Sequence, residues 1–355
     1  MEYGAELYFT DVSLDALLAW YHANGRILPW RQTQDPYHIW LSEIMLQQTR
    51  VEAVKPYYAR FLAVCPTIEA LARLPEERLM KLWEGLGYYS RARNLQKAAR
   101  RVCEEYGGSL PASYEELRRL PGIGDYTAGA IASIAFGQRV PAVDGNVLRV
   151  MARLAGSYED ITAPSVKKDY REALGRVVPA DAASFTQAMI ELGATLCGPN
   201  TAPRCEECPM ASVCETAKRG LWDEIPVRSA KKPRRIEQRT VLLIRDERRT
   251  ALRKRPERGL LSGLYELPNV EGHLGEDEVL SYIRSVGFEP LRIERLEDAK
   301  HIFSHVEWHM IAYAVRITPE FDDACGAAGA FLVENEILHA EYAIPSAFSA
   351  YTKYL

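Results

Sequence analysis

No stretch of the 355-residue chain is apolar over the length needed to cross a bilayer, which argues against a helical membrane protein, and no membrane partner is expected. The opening segment, Met1 to Thr10, carries Glu2 and Glu6 and lacks a basic start followed by an apolar core. It therefore does not read as a secretory leader, and cytoplasmic residence is the expectation. An excess of basic residues is also missing: 44 Lys and Arg against 48 Asp and Glu leave a formal charge of −4. Net charge averages over all faces, so this balance still allows a local basic strip that holds phosphates. Cysteine is sparse, seven residues in all, and unevenly spread. Cys65, Cys103 and Cys325 stand alone and read as small buried hydrophobes. Cys197, Cys205, Cys208 and Cys214 fall in one short segment, and without an export signal such a group points to a metal or cluster site rather than to disulfides. There is no internal repeat and no low-complexity tract.

The length suits two domains, and 47% apolar with 26% charged residues is a globular composition. From Ser13 to about Lys218 the periodicity is helical. Leu14, Leu17, Leu18 and Tyr21 mark one apolar face, and Tyr37, Trp40, Leu41, Ile44 and Met45 another. Ala128 to Phe136 is small and apolar enough to be buried on every side. Gly107-Gly108 and Leu120-Pro-Gly122 mark turns between helices, and strand-like alternation is absent before Ile236. Residues 1–222 are therefore expected to form one helical domain. In 223–235, the basic, proline-interrupted run from Pro226 to Arg235 reads as a linker. Beyond it, Thr240 to Ile244 and His309 to Ile317 read as strands and Asp277 to Ser285 as a helix, so 236–355 is expected to be a separate α+β domain.

Several strings carry chemistry. Leu120-Pro-Gly-Ile-Gly124-Asp-Tyr-Thr-Ala128 reads as a helix end, a tight turn and a new helix. Gly122 and Gly124 permit positive φ and close backbone approach, and the freed amides of the new helix make an anion site for a phosphate. Alone, Gly-x-Gly reads more readily as an ordinary helix–turn–helix corner. In Val143-Asp-Gly-Asn-Val-Leu-Arg149, Asp144 sits where Val147, Leu148 and Met151 begin a helix, the position of a simple N-cap. Cys205-x-x-Cys208-Pro sets two thiolates within reach of one centre, with Cys214 following after five residues. Spacing alone leaves a four-thiolate zinc site and an iron–sulfur cluster both open. Glu43, in Ser42-Glu-Ile-Met-Leu-Gln-Gln-Thr49, shares a helix with Ile39, Ile44, Leu46 and Gln47. Apolar surroundings would raise its pKa and keep it protonated, whereas Asp144 accepting helix-start amides should stay ionised. Two carboxyls pushed apart in pKa form the pattern of an acid beside a charge stabiliser; a solvated surface Glu is the alternative.

Taken in order, these strings resemble a known family over nearly the whole chain. The hairpin string followed by Val-Asp-x-Asn-Val is similar to the signature of the helix–hairpin–helix glycosylases of the endonuclease III-like superfamily. Leu28-Pro-Trp-Arg31 with Ser42 to Thr49 resembles the MutY-type adenine DNA glycosylases. The resemblance implies a mainly α helix–hairpin–helix glycosylase domain with an iron–sulfur loop, plus a C-terminal α+β Nudix-like domain. It implies that Glu43 protonates adenine N7 and that Asp144 stabilises an oxocarbenium-like sugar cation, with Tyr126 and Asn146 supporting Asp144 and the sugar. Adenine would be flipped into a pocket of Arg26, Leu28, Trp30, Arg31, Leu46, Gln187 and Ile190, because a stacked base is out of reach of chemistry. Gln48, Leu86 and Tyr88 would fill or flank the disturbed stack, core packing being the alternative for the last two. Gly122 and Gly124 would hold the DNA backbone.

The same resemblance implies a [4Fe–4S] cluster on Cys197, Cys205, Cys208 and Cys214, although seven residues separate the first two where the family usually has six. Tyr126 stands where lyase-active relatives carry a lysine. A phenol cannot form a Schiff base, so a monofunctional enzyme is expected. Gly263-Leu-Tyr-Glu-Leu-Pro268 resembles part of a Nudix fold, but its acidic magnesium-binding helix is missing and Asp277 to Arg284 is no substitute. Binding without hydrolysis is expected there, with Phe303-Ser304-His305 matching the loop that reads 8-oxoguanine. The implied partner is double-stranded DNA holding A opposite 8-oxoguanine or G, bound by a monomer in a bacterial-type cytoplasm, with the nucleoid. Three rivals are disfavoured on residues: a lyase-active pyrimidine-damage glycosylase by Tyr126, a nucleotide pyrophosphatase by the missing acidic helix, and a non-catalytic redox-sensing DNA binder by intact Glu43 and Asp144.

Overall fold

The computed structural model describes residues 4–199, 201–230, 232–319 and 329–355, without the side chain of His339; Glu2, Lys231 and Cys325 lie outside the described residues. The chain forms two compact units that are not consecutive in sequence. One comprises the described residues of Met1–Arg73 and Asn94–Ala230, the other those of Leu74–Arg93 and Lys231–Leu355.

The first unit is helical. Among the described residues the first strand begins only at Arg235, and no helix is long and apolar enough to cross a membrane. Four helices carry the residues of interest: α1 (Pro36–Leu46), α2 (Asp125–Phe136), α3 (Gly145–Ala155) and α4 (Ala182–Thr195). Asp35 starts α1 by accepting a hydrogen bond from the Tyr37 amide at 2.8 Å, and the following Pro36 suits a first helical position. Tyr37, Ile39, Trp40, Leu41, Ile44 and Met45 are all buried, so α1 is a core helix rather than an amphipathic surface one. In α2 the small residues from Thr127 to Ser133 are buried without exception. The core below α3 and α4 joins Val147, Val150 and Met151 to Phe185, Met189 and Leu192, with Tyr170 and Leu174 from the helix Pro164–Val177. Gly193 permits this approach: a Cβ there would lie 2.6 Å from the Cβ of Asn146.

Among the described residues, the second unit is built on one mixed sheet of seven strands: β1 (Arg235–Arg245), β2 (Arg249–Lys254), β3 (Tyr265–Glu266), β4 (Asn269–Glu271), β5 (Pro290–Ile302), β6 (Val306–Ile317) and β7 (Ala330–Glu334). The order is β3-β2-β1-β6-β5, with β4 added to β1 and β7 to β2. β1 and β6 run parallel, from Arg235 opposite Val306 to Arg245 opposite Arg316. Both faces are covered. Val241, Leu243, Met310 and Ala312 pack with Phe348 and Tyr351, while Leu242, Ile244, Ile311 and Val315 pack with Val279 and Ile283 of the helix Glu276–Ser285. Double coverage explains why Val241 to Ile244 reads as a continuous apolar run instead of an alternating one. Phe303-Ser304-His305 forms the turn between β5 and β6, closed by the Phe303 amide donating to the Val306 carbonyl at 2.8 Å.

Sequence continuity assigns residues 74–93 to the helical half, but their contacts lie with the sheet unit. Lys81 Nζ donates to the Tyr342 carbonyl at 3.1 Å, and a Glu84 carboxylate oxygen accepts from the Ile344 amide at 2.8 Å.

Candidate active site

A cleft of about 700 Å³ opens in the helical unit, a size suited to a nucleoside-sized ligand. The loop before α1 contributes Arg26, Leu28, Trp30 and Arg31, and α1 contributes Glu43 and Leu46, with Gln48 just beyond it. Gly124 and Tyr126 come from the start of α2, Asp144 and Asn146 from the start of α3, and Gln187 and Ile190 from α4. The hairpin string, the Val-Asp-x-Asn string and the Leu-Pro-Trp-Arg string, far apart in sequence, are thus brought to one cavity. Gln48 has φ of 59°, a left-handed conformation uncommon for a non-glycine residue and one that clusters at ligand sites.

Glu43 is only 7% exposed although it lines the cleft. Burial pushes its carboxyl up to about 7; the charge of Asp144 adds to the rise, while the Tyr126 hydrogen bond and Arg31 oppose it. Tyr126 Oη donates to Glu43 Oε2 at 2.6 Å, and burial followed by the Glu43 charge holds the phenol protonated, well above its ordinary value. A raised carboxyl is what the apolar neighbours of Glu43 lead one to expect.

Asp144 caps α3. Its Oδ1 accepts from the amides of Asn146 and Val147, and its Oδ2 from Asn146 Nδ2, each at 2.8 Å. Burial nevertheless raises its pKa, and the donors do not cancel the rise. Reading the cap from sequence accounts for the donors but not for this desolvation. All three partners donate and none accepts, so the cap is built around the carboxylate form. Arg149 carries the network onward, from Nη2 to Asn146 Oδ1 at 2.9 Å and from Nε to the Cys197 carbonyl at 2.7 Å.

Of the hairpin glycines, Gly122 has φ of 77°, and a Cβ on it would meet the Asn94 Cβ at 2.7 Å, so only glycine fits. Gly124 differs from the expectation of positive φ. It is extended, at φ −91°, and precedes α2 with no side-chain cap on the first-turn amides. A Cβ at Gly124 would meet nothing within 4 Å, so its backbone faces open space, as an anion site requires.

Sequence reading missed Glu191. Fully buried on α4, it accepts from Arg26 Nε at 2.6 Å and from Arg31 Nη2 at 2.8 Å, holding both guanidiniums in the cleft. Burial pushes its pKa up, but the two arginines prevail and lower it, so Glu191 stays ionised. The available signal was spacing: Gln187, Ile190, Glu191 and Ala194 lie at i, i+3, i+4 and i+7 on one face.

Leu86, Tyr88, Phe303, Ser304 and His305 belong to the sheet unit. Leu86 is buried, as the packing alternative has it, whereas Tyr88 is 47% exposed with φ of 48°. Tyr88 Oη lies 2.9 Å from Ser304 Oγ, which joins this turn to the Phe303–His305 turn. Phe303 is half-buried against Trp308 at a ring separation of 5.0 Å, leaving Ser304 and His305 exposed.

Cys197, Cys205, Cys208 and Cys214 line one cavity with Arg153 in the helical unit. Arg153 Nη1 donates to Cys197 Sγ at 3.2 Å. Burial pushes the thiols of Cys205 and Cys214 upward and that of Cys208 to about 12. Among the described residues, no three Cys, His, Asp or Glu side chains converge as a single-ion ligand group. Cys65 is buried, as expected for a lone cysteine, and Cys103 half-buried.

Residues 41–176 match the model of the HhH-GPD superfamily base excision DNA repair proteins, and residues 240–354 that of the NUDIX domain. Among solved structures, the helical unit resembles a thermostable thymine-DNA glycosylase (30% identity, TM-score 0.52, covering 59% of this chain and 96% of that one). It also resembles endonuclease III in a non-covalent DNA complex (27% identity, TM-score 0.50, 59% and 94%). Fold and site together define a helix–hairpin–helix base excision DNA glycosylase carrying a Nudix-like domain. The adenine DNA glycosylase of Mus musculus is 35% identical over 360 residues, covering 85% of this chain and 70% of the relative. That of Buchnera aphidicola subsp. Baizongia pistaciae (strain Bp) is 35% identical over 302 residues, covering 84% of each. The chain belongs to the adenine DNA glycosylase family, enzymes that hydrolyse N-glycosyl bonds.

Proposed function

We propose that this chain removes adenine from duplex DNA in which it faces 8-oxoguanine or G, by flipping the nucleotide into the Glu43–Asp144 cleft. The observation that carries this reading is the pairing, in one cavity, of a carboxyl whose pKa is raised to about 7 with a carboxylate held by three donors. Glu43 gives its proton to adenine N7, and the C1′–N9 bonding pair leaves with the base. The positive charge left on the sugar is balanced by the Asp144 carboxylate. Water adds to C1′ and releases a proton, giving free adenine and an abasic site. Tyr126 and Asn146 orient the two carboxyls, and Leu28, Trp30, Leu46, Gln187 and Ile190, with Arg26 and Arg31, form the base pocket. No amine stands at Tyr126, which supports base removal without strand cleavage. The uncapped amides after Gly124, with the turn at Gly122, suit a DNA phosphate.

Tyr88, Ser304 and His305 are proposed to read the opposite base and Phe303 to anchor their turn; Gln48 flanks the stack, and Leu86 would need to swing out to act as a wedge. Cys197, Cys205, Cys208 and Cys214 are proposed to hold a [4Fe–4S] cluster. Four cysteines lining one cavity, two of them in Cys205-x-x-Cys208, support this reading. Bound there, the cluster would supply a four-point cross-link of the 197–214 loop. The test is a glycosylase assay on duplexes holding A opposite 8-oxoguanine, A opposite G, and thymine glycol. Adenine release from the first two, faster from the first, with thymine glycol untouched is the expected result; release of thymine glycol with strand cleavage would overturn the reading.

A further inference from the structure

The loop that carries Tyr88 is fastened by side chains to which neither carboxyl chemistry nor base contact assigns a role. Glu84, at the end of the helix Glu76–Trp83, uses both carboxylate oxygens: one accepts from the Ile344 amide at 2.8 Å, the other from Lys81 Nζ at 2.6 Å. Lys81 in turn donates to the Tyr342 carbonyl at 3.1 Å. The helix is thereby tied at two points to the backbone of residues 342–344, some 260 positions away in sequence. Both side chains are half-buried, at 25% and 30% exposure, so the pair is only partly screened by water.

Beyond this latch the chain makes a conformationally demanding turn. Gly85, Gly87 and Tyr88 have φ of 93°, 69° and 48°, so the chain reverses through left-handed conformations, one of them on a tyrosine. Such a turn persists only where its surroundings over-determine it. Trp83 Nε1 donates to the Gly87 carbonyl at 3.2 Å, and Arg91 Nη2 donates to the carbonyls of Leu86 and Gly87 at 2.9 and 3.0 Å. From this frame Tyr88 reaches Ser304 Oγ. The path from Ile344 through Glu84 and the turn to Tyr88 and Ser304 lies wholly within the sheet unit.

We propose that Glu84 and Lys81 are positioning residues for mispair reading: their latch on residues 342–344 sets Tyr88 against Ser304, so that both meet the opposite base as one body. This rests on the reading role proposed for Tyr88 and Ser304. Glu84→Ala in the full-length protein should lower the ratio of single-turnover rates on A opposite 8-oxoguanine and A opposite G by roughly three- to ten-fold, the effect of about one lost hydrogen bond. Glu84→Gln retains an acceptor for the Ile344 amide and should keep most of the wild-type ratio. Hydrogen exchange on the DNA-free protein should be faster for the amides of residues 86–91 in Glu84→Ala than in wild type or Glu84→Gln, with the amides of α1 and α2 unchanged. An unchanged rate ratio in a folded Glu84→Ala variant overturns the proposal, and so does an equal loss on both duplexes, which would make the latch a support of the fold alone. Ser304→Ala separates the two levels. If it lowers the ratio and Glu84→Ala does not, only the latch fails; if the wild type has no preference, the reading beneath it fails.

Discussion

Tyr126 and Glu43 face each other across a 2.6 Å hydrogen bond in which the phenol donates to Oε2. The bond ties the first turn of α2 to α1 and occupies one carboxyl oxygen, so a proton on Glu43 resides on Oε1. A carboxyl held this way has a fixed direction for proton delivery, which is what general acid catalysis requires of its donor. Tyr126 is too strongly buried to compete for the role, since its own proton is held far more tightly.

The pH dependence of adenine release follows from the raised Glu43 pKa. The protonated carboxyl is the active form, so the single-turnover rate should be highest below about 7 and fall about tenfold per pH unit well above it. An acid with an ordinary carboxylate pKa would already be deprotonated there, and the fall would sit at lower pH. A rate that stays flat or rises through pH 7 would contradict assignment of Glu43 as the acid.

Glu191 should be needed for the cleft to hold its shape. Glu191→Ala leaves Arg31 without its ionic partner and is expected to cost about 3 kcal/mol in urea unfolding, the lower part of the range for a broken buried pair because Arg26 is partly exposed. Arg31, no longer balanced by Glu191, then lowers the Glu43 pKa, so the descending limb of the rate profile should move to lower pH. A shift to higher pH, or none in a folded variant, would contradict this arrangement of charges.

Protein purified without oxygen should contain iron and sulfide at about four each per chain if the cysteines hold a cubane. Cys208→Ser, at the most deeply perturbed of the four thiols, should lower both together. Stoichiometric zinc without sulfide would replace the cluster by a mononuclear site.

Replacing Ser304 and His305 together by Ala should reduce the preference for A opposite 8-oxoguanine over A opposite G, by roughly one to a few kcal/mol of discrimination, with adenine excision retained. Rates on the two duplexes should be compared at one salt concentration, since phosphate contacts otherwise dominate. Both side chains are exposed on the β5–β6 turn, so the change should leave the sheet intact.

How much was legible in the sequence depends on the range of the interactions involved. The cap at Asp144, the small buried run in α2 and the β1 and β6 runs express local propensity and periodicity, and these elements fall where the patterns predict. The raised pKa of Glu43 was readable because its apolar neighbours share its helix. Asp144 was half legible: its donors are local, but its desolvation comes from the cleft around it. Glu191 escaped because its partners, Arg26 and Arg31, lie some 160 residues earlier and a helical Glu is usually solvated. The membership of residues 74–93 in the sheet unit escaped for the same reason, their anchors being at Tyr342 and Ile344. No periodicity in a helix of eight residues records which distant backbone it will dock on.

The central claim is that a buried, protonated Glu43 drives loss of adenine. Glu43→Gln tests it most directly, because the amide preserves shape while removing the transferable proton. Single-turnover release from a duplex with A opposite 8-oxoguanine should fall by about a hundred- to ten-thousand-fold, with binding of the same duplex retained. Undiminished release by the variant would contradict the account.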